Sequence, residues 1–389
     1  MGQRRLLMAL LAEEEVEEDH LMRITGQVAQ FVVMQGNLPP VMRLPRAMPQ
    51  FEEDICEVFM AEHFRFTVPR LRVLVRLVGL PWDQMVTGPD QRKMEGRDVA
   101  AMLLFVLSTS KRVIDCALAF GISPQSCSRW LIWSADLFYH RLRRYSVIRW
   151  HVVRPRLHLY ARAVNSRTDG MLTMTCGFID GHNPPIARPS TPGMQRQFYS
   201  GKRKLHCISV QGVCFPDGLV AVSDPVPGRL NDLNLYDRSG ISEELREHLQ
   251  YDADMHGGPD GVQPPDGWGY FHLLGDAIYI ARRRPWLISH YKGYRNVPLL
   301  DWQLTFNSET RTARADVEHA FAQVALRFSG HRMKWWVRTM SSTRFLQTYS
   351  IAFALFNLLT VMQQDEDDFG NQISKNNNLR PPTLEEFVA

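Results

Sequence analysis

The hydrophobic period of this chain changes partway along, and that change constrains the fold more than any other feature. From Phe51 to about Tyr145 apolar residues recur at helical spacing, in FEEDICEVFMAEHF, PRLRVLVRLVGL, DVAAMLLFVLST and two further stretches. Beyond an Arg-rich connection the pattern becomes β-rich, in MLTMTCGFID (171–180), KLHCISVQGVCF (204–215) and GLVAVSD (218–224). The last two are joined by the tight Pro216-Asp217-Gly218 turn, which predicts a hairpin. A helix (242–251), a Gly/Pro/Asp-rich loop expected to be mobile (252–269), a strand (270–276) and two long helices (roughly 309–328 and 342–364) follow. Strands succeeded by helices, with one internal crossover, predict an α+β domain on one central mixed sheet.

The expected organisation is therefore a helical extension and linker over 1–50, a helical domain over 51–145, a basic connection over 146–170, the α+β domain over 171–364 and a polar, disordered tail over 365–389. With 45 Lys+Arg against 41 Asp+Glu, the net charge of +4 names no partner. Its distribution is more informative. Residues 141–167 hold eight Arg and no acid, whereas 13–19 and 365–368 are acidic, which suits polyanion contact on one surface. The six Cys include no CxxC pair and no zinc-spaced Cys/His cluster, so they read as buried thiols in a reducing compartment. The opening lacks a signal-peptide pattern, and the longest apolar run, 351–362, is well short of the ~18–20 residues of a membrane span. A soluble intracellular protein without a membrane partner is expected.

In VIDCALAFGISPQSCSRWLIW (113–133), Ala117 is small where two helices would cross, and Gly121 permits a left-handed turn. Ser123-Pro124 starts the next helix. Ile122, Cys127 and Trp130 supply its packing side, which leaves Gln125, Ser126, Ser128 and Arg129 facing outward at its N-terminal end. Two readings stand: a DNA-binding helix-turn-helix, supported by the nearby Arg141, Arg143 and Arg144, or a plain corner within a helical bundle.

Asp180 and Asp276 each end a mostly apolar strand, where a carboxylate is costly unless paired or on a metal. Alternation places Leu172, Met174, Cys176 and Phe178 on the face of Asp180. Glu318 lies beside the stripe Val317, Phe321, Val324 and Phe328 of a long helix, from which it could reach both aspartates. Three such acids without a His or Cys cluster suit Mg²⁺ or Mn²⁺. Each acid also has a local explanation: Asp180 capping the turn at Gly181, Asp276 capping the segment after it, and Glu318 pairing with Arg314.

Across residues 60–362, FRFTVPRLRVL, the two-helix stretch, IDGHNPPI, YSGKRKLHCISVQGV, PDGLV, GRLNDLNLYDRSGI, LLGDAIYIARRRPWLIS, FNSETRTARADVEHAFAQ and LRFSG succeed one another. In that order they resemble the PIF/Harbinger superfamily of DDE transposases and their Harbinger transposase-derived, nuclease-like relatives. The resemblance implies an RNase H-like catalytic domain in which Asp180, Asp276 and Glu318 are the catalytic acids and metal ligands for two Mg²⁺ or Mn²⁺ ions. Asp232, in GRLND, matches a further family aspartate that would be a ligand, a supporting group or a loop cap. The implied activity is cleavage of phosphodiester bonds at transposon terminal inverted repeats and joining of the 3′-hydroxyl ends to target DNA. A Myb-like DNA-binding partner protein, a homo-oligomer that pairs two ends, and action in the nucleus are implied as well. Lys202, Arg203, Lys204, Arg282, Arg283 and Arg284 are candidates for phosphate contact, and HRMKWWVR (331–338) mixes tryptophans with bases as nucleic-acid surfaces do. The alternative is a domesticated, noncatalytic DNA-binding or adaptor protein that keeps the fold.

Overall fold

Helices in the first part of the chain follow the apolar spacing closely. The computed structural model describes residue 51 and residues 57–258, 261–282, 284–293, 297–332, 342–364 and 379–389; the expectations for residues 1–50 and 333–338 lie outside them. The helices are α1 (Glu57–His63), α2 (Val68–Leu77), α3 (Gly96–Thr109), α4 (Val113–Phe120) and α5 (Pro124–Leu142). Between α2 and α3 stands a small hairpin absent from the sequence reading, β1 (Met85–Thr87) with β2 (Lys93–Glu95). α3 is buried on every side from Val99 to Leu107, as befits a helix apolar all round at the centre of a bundle. α4 ends at Gly121, whose φ of 67° is left-handed, and Ser123 caps α5 by accepting the Ser126 N–H, with Pro124 at the first turn.

Residues 146–170, expected as a basic connection, contain regular structure. A helical turn at Trp150–Val153 leads into α6 (Leu157–Arg167), whose Leu157, Tyr160, Ala161 and Val164 are buried at one-turn spacing. Interspersed arginines mask this stripe in the sequence. Two that precede α6 are bound within the chain: Arg154 to Asp252, and Arg156 to Tyr160 and Asp217.

The sheet is built from β3 (Thr175–His182), β6 (Ile208–Cys214), β7 (Val220–Val222), β8 (Val226–Pro227), β9 (His272–Gly275) and β10 (Leu287–Ser289); β4 (Tyr199–Ser200) and β5 (Leu205–His206) form a separate ribbon. Its order is β10-β9-β3-β6-β7, with β8 also on β6. β10, β9 and β3 run parallel, while β3, β6 and β7 are antiparallel, which gives the expected central mixed sheet. An irregularity between Thr175 and Gly177 interrupts the two-residue alternation, so the face expected from Leu172 to Asp180 is not continuous. Around the sheet lie α7 (Pro192–Phe198), α8 (Asp232–Arg238), α9 (Ile241–His248), α10 (Asp301–Arg327) and α11 (Ser342–Met362). The 252–269 loop is tied at its ends by Tyr251 N–H to Gly269 C=O at 2.9 Å, and its buried His256 bonds the Arg154 carbonyl through Nε2 at 2.9 Å.

The expected tail is corrected for its last eleven residues, where the Thr383-x-x-Glu386 capping box starts α12 (Leu384–Val388). Phe387 is buried against Tyr145, ring centroids 5.6 Å apart. Residues 365–378 lie outside the described residues. The five described cysteines are buried free thiols, and no helix among the described residues is long and apolar enough to cross a membrane.

Helical unit and sheet share one continuous core, because α11 packs against both α5 and β7. The buried Asn357 of α11 closes the sheet edge. Its Oδ1 accepts the Val220 N–H at 3.0 Å, and its Nδ2 donates to the carbonyls of Val220 and Tyr145, both at 2.8 Å. An edge strand thereby has its outward backbone groups satisfied by a side chain from a helix. Asn357→Leu strands these groups and is expected to cost about 3 kcal/mol in chemical denaturation, well above the effect of an exposed substitution.

His272, at the start of β9, is 6% exposed, and burial lowers its pKa from 6.5 to about 4. The unfolded chain takes up this proton at the higher pH. Stability is therefore complete above pH 6.5 and is lost progressively toward pH 4, by at most about 3 kcal/mol. In His272→Phe, denaturation midpoints across that interval should show a correspondingly flatter pH dependence.

Candidate active site

β3 is buried from Thr175 to Ile179 and begins to meet solvent at Asp180. Register fixes its neighbours. Asp180 faces Gly212 on β6, and Phe178 faces Leu274 on β9, so continuing the parallel register sets Asp276 level with Asp180 just past the end of β9. Adjacent strands are about 4.8 Å apart. The two carboxylates thus emerge from neighbouring strand ends, each accepting the next residue's N–H: Gly181 to Asp180 Oδ1 at 2.8 Å and Ala277 to Asp276 Oδ1 at 2.6 Å. The capping roles expected as alternatives for these two acids are therefore present.

Glu318 arrives on α10, whose Ala313, Val317, Phe321 and Val324 form a buried stripe that Phe328, just past the helix, continues. The helix lies on the sheet where Gly212 leaves room: a Cβ there would stand 2.1 Å from the Phe321 ring. His182, two residues beyond Asp180 on the same face, stacks on that ring at 4.7 Å. α10 therefore covers the Asp180 face, with the exposed Glu318 one turn before Phe321. The side chain of Arg314, the alternative partner for Glu318, lies outside the described residues.

Asp232 approaches from the opposite face, as the first residue of α8, behind its Asn231 cap. Its Oδ1 stands 2.6 Å from where a side chain at Gly181 would begin, so the missing side chain permits the approach. Lys202, in the turn between β4 and β5, places its Nζ 3.5 Å from Asp232 Oδ2.

Two residues missing from the sequence reading connect these acids. Gln211 of β6 is fully buried and donates from Nε2 to the Asp180 carbonyl at 2.8 Å and to the Tyr279 hydroxyl at 2.9 Å. Burial pushes the Tyr279 phenol well above its ordinary range; the Gln211 bond opposes this, and the charges of Asp180, Asp232 and Asp276 raise it further. Tyr279 therefore stays protonated. The signal available in the sequence was a lone Gln inside the apolar run ISVQGVC.

Among the described residues, no three His, Cys, Asp or Glu side chains lie close enough together to hold one metal ion. The charges of Asp180, Asp232 and Asp276 all act on one buried hydroxyl, that of Tyr279, while Glu318 stands on the covering helix. The donor chemistry nonetheless fits a hard divalent cation: the candidates are all carboxylates, and the nearby His182 ring is packed on Phe321.

The basic and polar candidates divide. Gln125 and Arg129 are exposed and Ser128 is half-buried on α5, whereas Ser126 is only 5% exposed, which corrects its expected outward orientation. It shares the inner side of α5 with Cys127 and Trp130. Arg141 is exposed; Arg143 is paired with Asp224 at 2.5 Å, and Arg144 donates to the Tyr145 hydroxyl at 2.6 Å. Lys202 is exposed beside Asp232, and Arg203, Lys204 and Arg284 are exposed. Arg283 and the side chain of Arg282 lie outside the described residues.

Residues 179–357 match the family model described as DDE superfamily endonuclease. This segment contains Asp180, Asp232, Asp276 and Glu318, and the match supports a DDE transposase-like family with a nuclease-type function. Neither the curated proteins nor the solved structures yielded a match.

Because Gly212 seats Phe321, Gly212→Ala should push α10 off the sheet and cost about 1–3 kcal/mol in denaturation experiments. In a Phe321→Leu background the same substitution should cost less, since the ring that it strikes is gone.

Proposed function

We propose that this chain is a metal-dependent DNA endonuclease of transposase type, which cuts phosphodiester bonds at transposon terminal repeats and joins the 3′-hydroxyl ends to target DNA. The observation that carries the reading is the level emergence of Asp180 and Asp276 from neighbouring parallel strand ends, under the helix bearing Glu318 and inside the segment that matches a DDE endonuclease. A mixed sheet flanked by helices is also the arrangement that an RNase H-like domain requires.

Asp180, Asp276 and Glu318 would hold Mg²⁺ or Mn²⁺, with Asp232 as a further ligand or a bordering charge. When bound, two such ions supply an activated water and charge stabilisation at the leaving oxygen. The chain's own contributions are positional. Gln211 fixes the backbone of Asp180, Tyr279 lends a neutral hydroxyl among like charges, and Phe321 holds α10 over the strand ends. Lys202 borders Asp232, and with Arg203 and Lys204 of the same exposed turn it would neutralise phosphates of a strand drawn to the site. On this reading the α4–α5 corner is a DNA-contacting helix-turn-helix that uses Gln125, Ser128 and Arg129. A Myb-like partner, a homo-oligomer joining two ends, and action in the nucleus complete the proposal.

Asp180→Asn, Asp276→Asn and Glu318→Gln are each expected to lower Mg²⁺- or Mn²⁺-dependent cleavage of terminal-repeat DNA by about a thousandfold, some 4 kcal/mol of barrier, with DNA binding retained. Wild-type protein that binds these ends with the Myb-like partner present, yet never cuts them, would be a noncatalytic adaptor instead. Arg129→Ala should weaken DNA binding and lower its salt dependence by about one phosphate contact.

A further inference from the structure

A cavity of about 320 Å³ that shares Tyr279 with the carboxylate site is left unused by the chemistry above. That volume is within the range of small-molecule sites, about 300–1,000 Å³. Its lining contains no Asp, Glu, Lys or Arg, and the aromatic rings of Trp268, Tyr291 and Phe306 form part of it. Tyr291 is held in place by both ends of the Asn307 amide, which bond its N–H and its C=O at 2.8 Å each, and its ring meets Phe306 edge-on at 5.4 Å.

Two residues of the lining, Thr175 and His272, 1% and 6% exposed, each carry a buried polar atom without a hydrogen-bond partner, Oγ1 and Nδ1. They are register partners on adjacent strands, and therefore side by side. A buried polar group left unbonded costs about 1–3 kcal/mol, and native proteins satisfy such groups with water or a ligand. The neutral imidazole that burial enforces adds no charge to the site.

We infer that this cavity binds a nucleobase, held between aromatic walls with the polar edge of the ring on Thr175 and His272. A hydroxyl beside an imidazole nitrogen suits a planar, uncharged heterocycle that carries a donor next to an acceptor, as base edges do. Tyr279 is a shared wall: it lines the cavity, while its hydroxyl bonds Gln211 among the carboxylates. The choice of a base over other heterocycles rests on the DNA-processing reading of that neighbouring site. Such a base comes either from DNA, unstacked at a cost of a few kcal/mol, or from a free nucleoside.

The test uses the full chain and two probes: each of the four free 2′-deoxynucleosides in calorimetric titration, and terminal-repeat DNA carrying 2-aminopurine, whose fluorescence reports stacking. At least one nucleoside is expected to bind. Its affinity should fall about tenfold in Thr175→Val and in His272→Phe and stay near wild type in Thr175→Ser, which keeps the hydroxyl. A 2-aminopurine signal that Thr175→Val abolishes identifies DNA as the source, whereas nucleoside binding without that signal identifies the free molecule. No binding of either probe at millimolar concentration, or binding indifferent to both substitutions, overturns the inference and leaves the cavity to water. Asp180→Asn separates the two ideas, because base capture should survive it while cleavage does not.

Discussion

A carboxylate can leave the central strand of a buried sheet only where burial ends, and the rest of the site follows from that constraint. β3 is paired on both sides and buried through Ile179, so Asp180 occupies the first position at which an ionised group is tolerable. The parallel pairing with β9 then sets Asp276 beside it. Pairing with β6 puts Gly212 opposite, and that glycine gives the Phe321 ring a seat. One strand end thereby determines where the neighbouring acid, the covering helix and Glu318 must stand.

The like charges so assembled are managed by neighbours of different kinds. Backbone N–H groups take one oxygen each of Asp180 and Asp276, Lys202 attends Asp232, and Tyr279 keeps its proton among them. Rigidity comes from farther away. α11 fills the space between the helical unit and the sheet, and the Asn357 amide replaces the strand that β7 lacks. The site therefore rests on one core to which the helical unit contributes as much as the sheet.

Helices with an unbroken apolar stripe were legible from the sequence alone, as α2 and α3 illustrate, and so was the β6–β7 hairpin at its Pro-Asp-Gly turn; α10 was legible only from about residue 309, eight residues after its start at Asp301. Elements whose stripe is diluted by charge were not. α6 was hidden among arginines, and α12 within a polar tail, because the side chains that define them are buried by partners remote in the chain. Ser126 shows the same limit at one residue: its helix and cap were evident, but which side of the helix the bundle would cover was not.

The sequence by itself determined which residues could carry chemistry: acids at the ends of apolar strands, a glutamate beside a helical stripe, a basic turn and a capped corner between two helices. These are local matters, fixed by periodicity and by the cost of burying charge. Tertiary structure alone decided that Asp232 enters from the far face through the gap at Gly181, that Gln211 links Tyr279 to the backbone of Asp180, and that Thr175 Oγ1 and His272 Nδ1 are left without a hydrogen-bond partner on residues lining one cavity. Each of these depends on register between strands far apart in the chain. A one-residue slip would send every such side chain to the other face, so no local pattern could have specified it.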